Sequence, residues 1–193
     1  MESELTKMFL RYFLLLSLPI LLLFSNCTKK QQTDNNTKTQ KSSNVTDVVS
    51  VTKRTDKVSN FSWKDSTGKT IDLDSYRGKV TLINFWATWC GPCKMELPDL
   101  IAISKEMADK GVKIIGVSTD RGANVLEDVS SFVAEKGIPY QIVISNEELD
   151  EAFGNIRLIP TTFVVDTDGK IVQTIVGARS KAAFIEAINA ILK

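Results

Sequence analysis

The sequence predicts an α/β fold in which a central mixed sheet has helices on both faces. Across residues 58–193, apolar runs of strand length alternate with segments whose apolar residues recur at helical spacing. Strand, helix and strand follow one another between residues 80 and 117, an order that places parallel strands side by side in one sheet. Short extended segments around turn residues indicate a β-hairpin near the start of this region and another near its end.

Length and charge set the first limits on function. The chain has 193 residues, of which 43% are hydrophobic, which is enough for one well-packed domain and an appendage. Its net charge of +1 argues against a nucleic-acid partner.

Residues 1–27 have the features of an export signal. The thirteen residues from Tyr12 to Phe24 form an apolar run that only a serine and a proline interrupt. This run is shorter than the ~18–20 residues that span a bilayer, but it has the length of a signal-peptide core. Translation from Met8 would fit such a signal better than translation from Met1, because it removes the acidic residues that precede the run.

The segment that ends this run, Leu23-Phe24-Ser25-Asn26-Cys27, resembles a bacterial lipobox, although Asn26 departs from the usual Gly or Ala. Cys27 is also the one cysteine of three that has no neighbouring partner in the sequence. We therefore expect Cys27 to be lipidated and to anchor the protein to a membrane. A plain cleaved signal and an uncleaved short anchor are the alternatives, and all three place the domain outside the cytoplasm.

Residues 28–57 are predicted to be a flexible linker. The segment is rich in Lys, Gln, Asn, Thr and Ser, and its only large apolar residues are four valines. Such a composition buries too little apolar surface to offset the entropy cost of folding. Seven basic and three acidic residues give the segment a charge of +4. We expect it to span roughly 30 Å and to lie on anionic headgroups.

The domain, residues 58–193, begins with a predicted hairpin in which residues 61–63 and 70–73 flank a Ser-Thr-Gly-Lys turn. The periodicity and the Gly and Pro residues then predict the remaining elements. The predicted strands are 80–87, 112–117, 141–144, 161–165 and 170–176, and the predicted helices are 94–110, 122–136, 147–153 and 182–192.

Two cysteines, two residues apart, lie between the strand 80–87 and the helix that follows it. Cys90 and Cys93 therefore predict a redox pair that alternates between dithiol and disulfide. Free N–H groups and the helix dipole favour a thiolate at Cys90, which we expect to be the attacking thiol. Cys93, one turn further along, is expected to be buried and to act as the resolving thiol. Gly91 would let a substrate backbone come close, and Pro92 suits the first helical turn.

A Cys-x-x-Cys pair can also be half of a zinc site. Zinc needs about four ligands, and this chain has no His and only one further cysteine. The sequence therefore predicts no metal site.

The stretch FWATWCGPC, residues 85–93, resembles the thioredoxin superfamily, and CKMELP, residues 93–98, resembles its membrane-tethered TlpA/ResA-type branch. The resemblance covers about residues 58–193 and implies a thioredoxin-like fold with a central α/β insertion at residues 122–153. It also implies that Pro160 is cis and faces the cysteine pair. Ile159 would then pair with an extended substrate segment. Trp89 is expected at the rim of the active site.

One residue departs from the pattern of cytosolic thioredoxins, which carry a buried Asp six residues before the first cysteine. Here that position is Asn84, which cannot take a proton. Glu96 follows Cys93 by three residues, and in the TlpA/ResA branch a glutamate at this place assists thiol deprotonation. The alternative for Glu96 is a solvated carboxylate that the helix dipole favours.

The sequence thus predicts an extracytoplasmic thiol:disulfide oxidoreductase that needs no cofactor. The resemblance implies that the protein reduces protein disulfides, typically those of apocytochrome c, and that a membrane thiol-transfer protein re-reduces it. We expect it to be a monomer. A general periplasmic disulfide reductase is the alternative. A copper or haem chaperone of the Sco kind is disfavoured, because its wider cysteine spacing and its His are missing here. A peroxidase is disfavoured too, since the pair lacks the Thr-x-x-Cys setting.

Overall fold

The computed structural model describes residues 44–192, which fall in the unit that spans Thr39–Lys193. The predicted signal, Cys27 and most of the predicted linker lie outside the described residues. The strands are β1 (Val45–Thr52), β2 (Asn60–Lys64), β3 (Thr70–Asp72), β4 (Val80–Trp86), β5 (Val112–Ser118), β6 (Gln141–Ile144), β7 (Thr161–Val165) and β8 (Ile171–Val176). The helices are α1 (Gly91–Glu106), α2 (Val125–Lys136), α3 (Glu147–Ala152) and α4 (Lys181–Ile191), with 3₁₀ turns at Leu73–Tyr76 and Ala108–Lys110.

The strands form one mixed sheet in the order β3-β2-β1-β6-β5-β4-β7-β8. Pairing is parallel between β1 and β6, between β6 and β5, and between β5 and β4. The remaining pairs are antiparallel. The mixed thioredoxin-like sheet, the N-terminal hairpin and the parallel pairing of β4 with β5 are as predicted.

Side chains alternate between the two faces of β4, and each face has its own apolar cluster. Leu82 belongs to a cluster with residues of α1, α2 and α4, among them Leu100 and Phe184. Ile83 belongs to a second cluster, which includes Leu149 of α3 and the aromatic side chains of β2. Helices therefore cover both faces of the sheet, as predicted.

The first strand corrects the predicted linker. Residues 45–52 lie within the segment 28–57, yet they form β1, which pairs with β2 on one side and with β6 on the other. Val45 is buried, and the Asn44 side chain donates to the carbonyl of Ile138 at 3.1 Å. The composition argument counted only what the segment could bury alone. A strand inserted into a sheet takes its hydrogen bonds and burial from its neighbours. The predicted domain boundary at residue 58 is therefore wrong.

Residues 44–192 contain no helix that is both long and apolar enough to cross a membrane.

Candidate active site

A buried strand, a tight turn and a helix present the cysteine pair. All seven residues of β4 are buried, and the Cys90 N–H donates to the Ala87 carbonyl at 3.1 Å, which closes a turn after the strand. Cys90 is the N-cap of α1, and its sulfur accepts a hydrogen bond from the Cys93 N–H at 3.2 Å. Pro92 lies in the first turn of the helix, as predicted. The predicted strand-to-helix junction at the cysteines is confirmed.

Cys90 and Cys93 are joined by a disulfide with a sulfur–sulfur distance of 2.07 Å. Each residue is only 4% exposed, so in this oxidised form neither sulfur projects into solvent. Gly91 and Pro92, by contrast, are exposed above the pair. A partner can therefore approach the disulfide over the first turn of α1.

The Ile159–Pro160 peptide bond is cis, as the resemblance implied. The Ile159 carbonyl oxygen lies 3.8 Å from the Cys90 sulfur. Trp89 and Leu158, on the segments that lead into Cys90 and Ile159, are 68% and 67% exposed. The disulfide is therefore flanked by a backbone carbonyl and by exposed apolar side chains.

Glu96 is a buried carboxyl group on α1. It is 3% exposed, which excludes the alternative of a solvated helix-terminal carboxylate. Its Oε1 accepts from Asn84 Nδ2 at 2.9 Å, and its Oε2 accepts from the Arg179 N–H at 3.3 Å. Burial raises the pKa of Glu96 to about 7, and the hydrogen bond from Asn84 opposes that shift. A carboxyl group with this pKa can both accept and release a proton near neutral pH.

Asn84 connects Glu96 to the strand that follows the cis-proline. Its Nδ2 also donates to Thr162 Oγ1 at 2.9 Å, so one amide nitrogen ties α1 to β7. From the sequence we predicted only that Asn84 lacks the acid function of the Asp that cytosolic thioredoxins carry at this position. The structure shows a second property of Asn84, which the identity of the residue did not indicate. Its side chain positions the carboxyl group of Glu96, the acid that replaces the one missing at position 84.

Sequence reasoning missed Thr88 and Asp120. Asp120 is 7% exposed and accepts from the Thr88 N–H at 2.9 Å and from Thr88 Oγ1 at 2.6 Å. Thr88 follows β4 by two residues and Asp120 follows β5 by two. Because the carboxyl ends of neighbouring parallel strands meet at one sheet edge, these equal offsets are a signal that could have found the pair.

No group of three His, Cys, Asp or Glu side chains within residues 44–192 is arranged to hold a metal ion.

This chain matches a protein-family profile and is similar to known proteins and to solved structures. The Redoxin family profile matches residues 53–191. Thiol-disulfide oxidoreductase ResA of Bacillus thuringiensis subsp. konkukian (strain 97-27) is 35% identical over 133 residues, which are 68% of this chain and 75% of that protein.

Two solved structures extend the comparison to the fold. A thiol:disulfide interchange protein of the thioredoxin family from Chlorobium tepidum TLS has a TM-score of 0.65 and 34% identity, over 72% of this chain and 98% of that one. The pneumococcal exposed lipoprotein thioredoxin Etrx1 from Streptococcus pneumoniae strain TIGR4 has a TM-score of 0.58 and 29% identity, over 68% of this chain and 98% of that one.

Proposed function

Because the chain belongs to the Redoxin family and is a ResA-like thiol–disulfide oxidoreductase, we propose that it reduces protein disulfides outside the cytoplasm. The observation that carries the proposal is the Cys90–Cys93 disulfide at the N-terminus of α1, with a buried carboxyl group one turn further along the same helix. A reductant needs two thiols that exchange and one group that handles their protons, and these three side chains supply both.

The reaction starts from the reduced pair. The Cys90 thiolate attacks one sulfur of a target disulfide, a bond forms between these two sulfurs, and the other target sulfur leaves as a thiolate that takes up a proton. The Cys93 thiolate then attacks the Cys90 sulfur, a Cys90–Cys93 bond forms, and the second target sulfur leaves as a thiolate that takes up a proton. Two electrons pass from the cysteine pair to the target. The N-cap position of Cys90 supports its role as attacking thiol, since N–H groups at a helix start stabilise a negative sulfur.

Glu96 serves as the acid/base of the second step. It accepts the proton of Cys93 when that thiol attacks, and it releases the proton as the cycle is reset. Its pKa of about 7 supports this role, because the group then changes protonation state within the pH range in which the reaction runs. The hydrogen bonds from Asn84 and the Arg179 N–H keep the carboxyl group in place in either state.

The substrate lies against the cis-proline loop. We propose that an extended segment of the target pairs with the backbone of Ile159 beside Pro160, while Trp89 and Gly91 contact its other side. The exposed side chain of Trp89 and the short distance between the Ile159 carbonyl oxygen and the Cys90 sulfur support this placement.

We propose apocytochrome c cysteines as the disulfide substrate, and the resemblance of residues 93–98 to the TlpA/ResA-type branch supports this choice. A general extracytoplasmic disulfide reductase is the second candidate. In both cases a membrane thiol-transfer protein would return the pair to the dithiol form.

Export and anchoring are part of the same proposal. The apolar run before Cys27 and the lipobox-like segment support a lipid anchor, and the similar pneumococcal protein is named an exposed lipoprotein. The protein would act as a monomer held at a membrane, outside the cytoplasm, by the segment between Cys27 and β1.

The experiment that tests the substrate is trapping in cells. A Cys93→Ala variant forms the mixed disulfide but cannot resolve it, so its partner can be purified and identified by mass spectrometry. A Cys90→Ala variant is the matched control and should trap nothing. Recovery of a c-type apocytochrome supports cytochrome maturation, and recovery of many unrelated exported proteins supports the general reductase. Trapping of cytoplasmic proteins alone would contradict the proposed location.

A further inference from the structure

The turn between β4 and α1 determines where Cys90 lies. The hydrogen bond from the Cys90 N–H to the Ala87 carbonyl defines a four-residue turn in which Thr88 and Trp89 are the two central residues. The N–H of the first central residue has no partner within such a turn. Unless another group accepts from it, the turn is held by one hydrogen bond only.

Asp120 supplies that acceptor from the neighbouring strand end. Its Oδ2 accepts from the Thr88 N–H at 2.9 Å, and its Oδ1 accepts from Thr88 Oγ1 at 2.6 Å. The carboxylate is thus bound to both the backbone and the side chain of the turn residue. Hydrogen bonds to an ionised acceptor are about twice as strong as neutral ones, so this contact restrains the turn more than the Ala87 bond alone.

The carboxylate is itself held in place by its surroundings. Ser118, which is fully buried, donates through Oγ to Asp120 Oδ2 at 2.8 Å. Arg121 donates to the Asp120 carbonyl at 2.9 Å and forms an ion pair with Asp150 of α3 at 2.5 Å. Asp120 therefore connects the cysteine turn to the end of β5 and, through Arg121, to α3.

We propose that Asp120 is a positioning residue for the thiol–disulfide exchange, and that it acts through Thr88 to fix the turn that sets Cys90 at the start of α1. The reaction requires the Cys90 sulfur to stay within reach of the Cys93 N–H while a target sulfur approaches it in line. If the turn were mobile at Thr88, it would adopt that arrangement for less of the time. The Cys90 thiolate would then form less readily and react more slowly.

The test measures Cys90 in the reduced full-length protein. Iodoacetamide alkylation of the Cys90 peptide, followed by mass spectrometry across pH 4–10, gives a rate and a pH midpoint for each variant. Thr88→Val keeps the shape of the side chain and removes only its hydroxyl. We expect it to slow alkylation at pH 7 about 2- to 10-fold, the range that one lost hydrogen bond corresponds to, and to raise the pH midpoint. Asp128→Asn removes an exposed carboxylate of α2 and should leave both values unchanged.

Asp120→Asn and the double variant separate positioning from charge. Loss of a negative charge alone would lower the pH midpoint of a nearby thiol, whereas loss of positioning raises it. If Asp120 acts through Thr88, the double variant Thr88→Val/Asp120→Asn is no slower than the slower single variant. A Thr88→Val alkylation profile identical to that of wild type overturns the proposal. This holds even if the unfolding temperature of the variant falls, because a contact that only stabilises the fold would lower that temperature without changing the reactivity of Cys90. Effects of the two substitutions that multiply would overturn it as well.

Discussion

At the scale of single residues, Glu96 is the group whose surroundings say most about the chemistry. It lies on the same helix as both cysteines, and it is buried with hydrogen bonds to Asn84 and to the Arg179 N–H. A buried carboxyl group so placed titrates together with thiols close to it, and the apparent pKa values then belong to the group of residues as a whole.

The first prediction concerns the rate of disulfide reduction. Glu96→Gln keeps the shape of the side chain and one of the two hydrogen bonds that the carboxyl group accepts, and it removes the titration. We expect the rate near pH 7 to fall by ~10²-fold, the low end for a positioned acid/base, because thiols are good leaving groups. The measurement is the pH–rate profile of disulfide reduction for wild type and variant. A variant profile that overlies that of wild type would leave water as the proton carrier and contradict the role of Glu96.

The second prediction concerns stability. The pKa of Glu96 is raised in the folded protein from 4.5 to about 7, so the folded state holds a proton that the unfolded chain has lost. This contribution to stability is fully present below pH 4.5 and is lost as the pH rises through 7. For the oxidised protein, the unfolding free energy of wild type should therefore fall relative to that of Glu96→Gln as the pH rises from 5 to 8, by at most about 3 kcal/mol. Urea unfolding at both pH values measures it, and a constant difference would contradict a raised pKa.

At the scale of secondary structure elements, β1 is the strand that the polar composition of residues 28–57 did not predict. The order β3-β2-β1-β6 means that the β2–β3 hairpin is hydrogen-bonded to the rest of the sheet only through β1 among the described strands. A polar segment with four valines thus forms a strand inside the sheet and joins the hairpin to the other strands.

The third prediction tests that role by truncation. A protein that begins at residue 44 keeps β1, whereas one that begins at residue 58 exposes the edges of β2 and β6 and loses Val45. Burial of one valine is worth about 1.5–3 kcal/mol, so the shorter protein should be destabilised by at least that amount. Denaturant unfolding of both proteins measures the difference. Equal midpoints would show that β1 contributes nothing and would restore residue 58 as the domain boundary.

The elements that were predictable share one property, which is strong local periodicity. Five of the seven residues of the strand 80–86 are apolar and α1 repeats its apolar residues at helical spacing, so both were predicted to within a few residues. Contacts between distant residues carry no such local signal. The bond from Asn84 to Glu96 joins residues 12 positions apart, and only the fold brings them together. The bond from Thr88 to Asp120 spans 32 positions, and its only signal in the sequence is the equal offset of the two residues from their predicted strands.

At the scale of the whole molecule, we propose that a lipidated Cys27 holds the redox domain at a membrane. The fourth prediction is that Cys27→Ser releases the protein from membranes, because the acylated cysteine would be its anchor. One acyl chain binds only marginally, so a diacylglyceryl group with a further chain is expected on the wild-type cysteine. Fractionation of cells and mass spectrometry of the N-terminal peptide test this. An unmodified Cys27 in membrane-extracted protein would contradict the anchor, while the domain would still act outside the cytoplasm after a plain signal cleavage.

We propose that Cys90 attacks the target disulfide and that Cys93 resolves the mixed disulfide. A single-turnover reaction tests these two roles: reduced protein is mixed with a disulfide-bonded target, quenched with acid and analysed by mass spectrometry. We predict that Cys93→Ala accumulates an adduct on Cys90, that Cys90→Ala accumulates none on the same timescale, and that wild type passes through the adduct to the Cys90–Cys93 disulfide. An adduct on Cys93 that forms in Cys90→Ala as fast as the Cys90 adduct forms in Cys93→Ala would contradict the assignment.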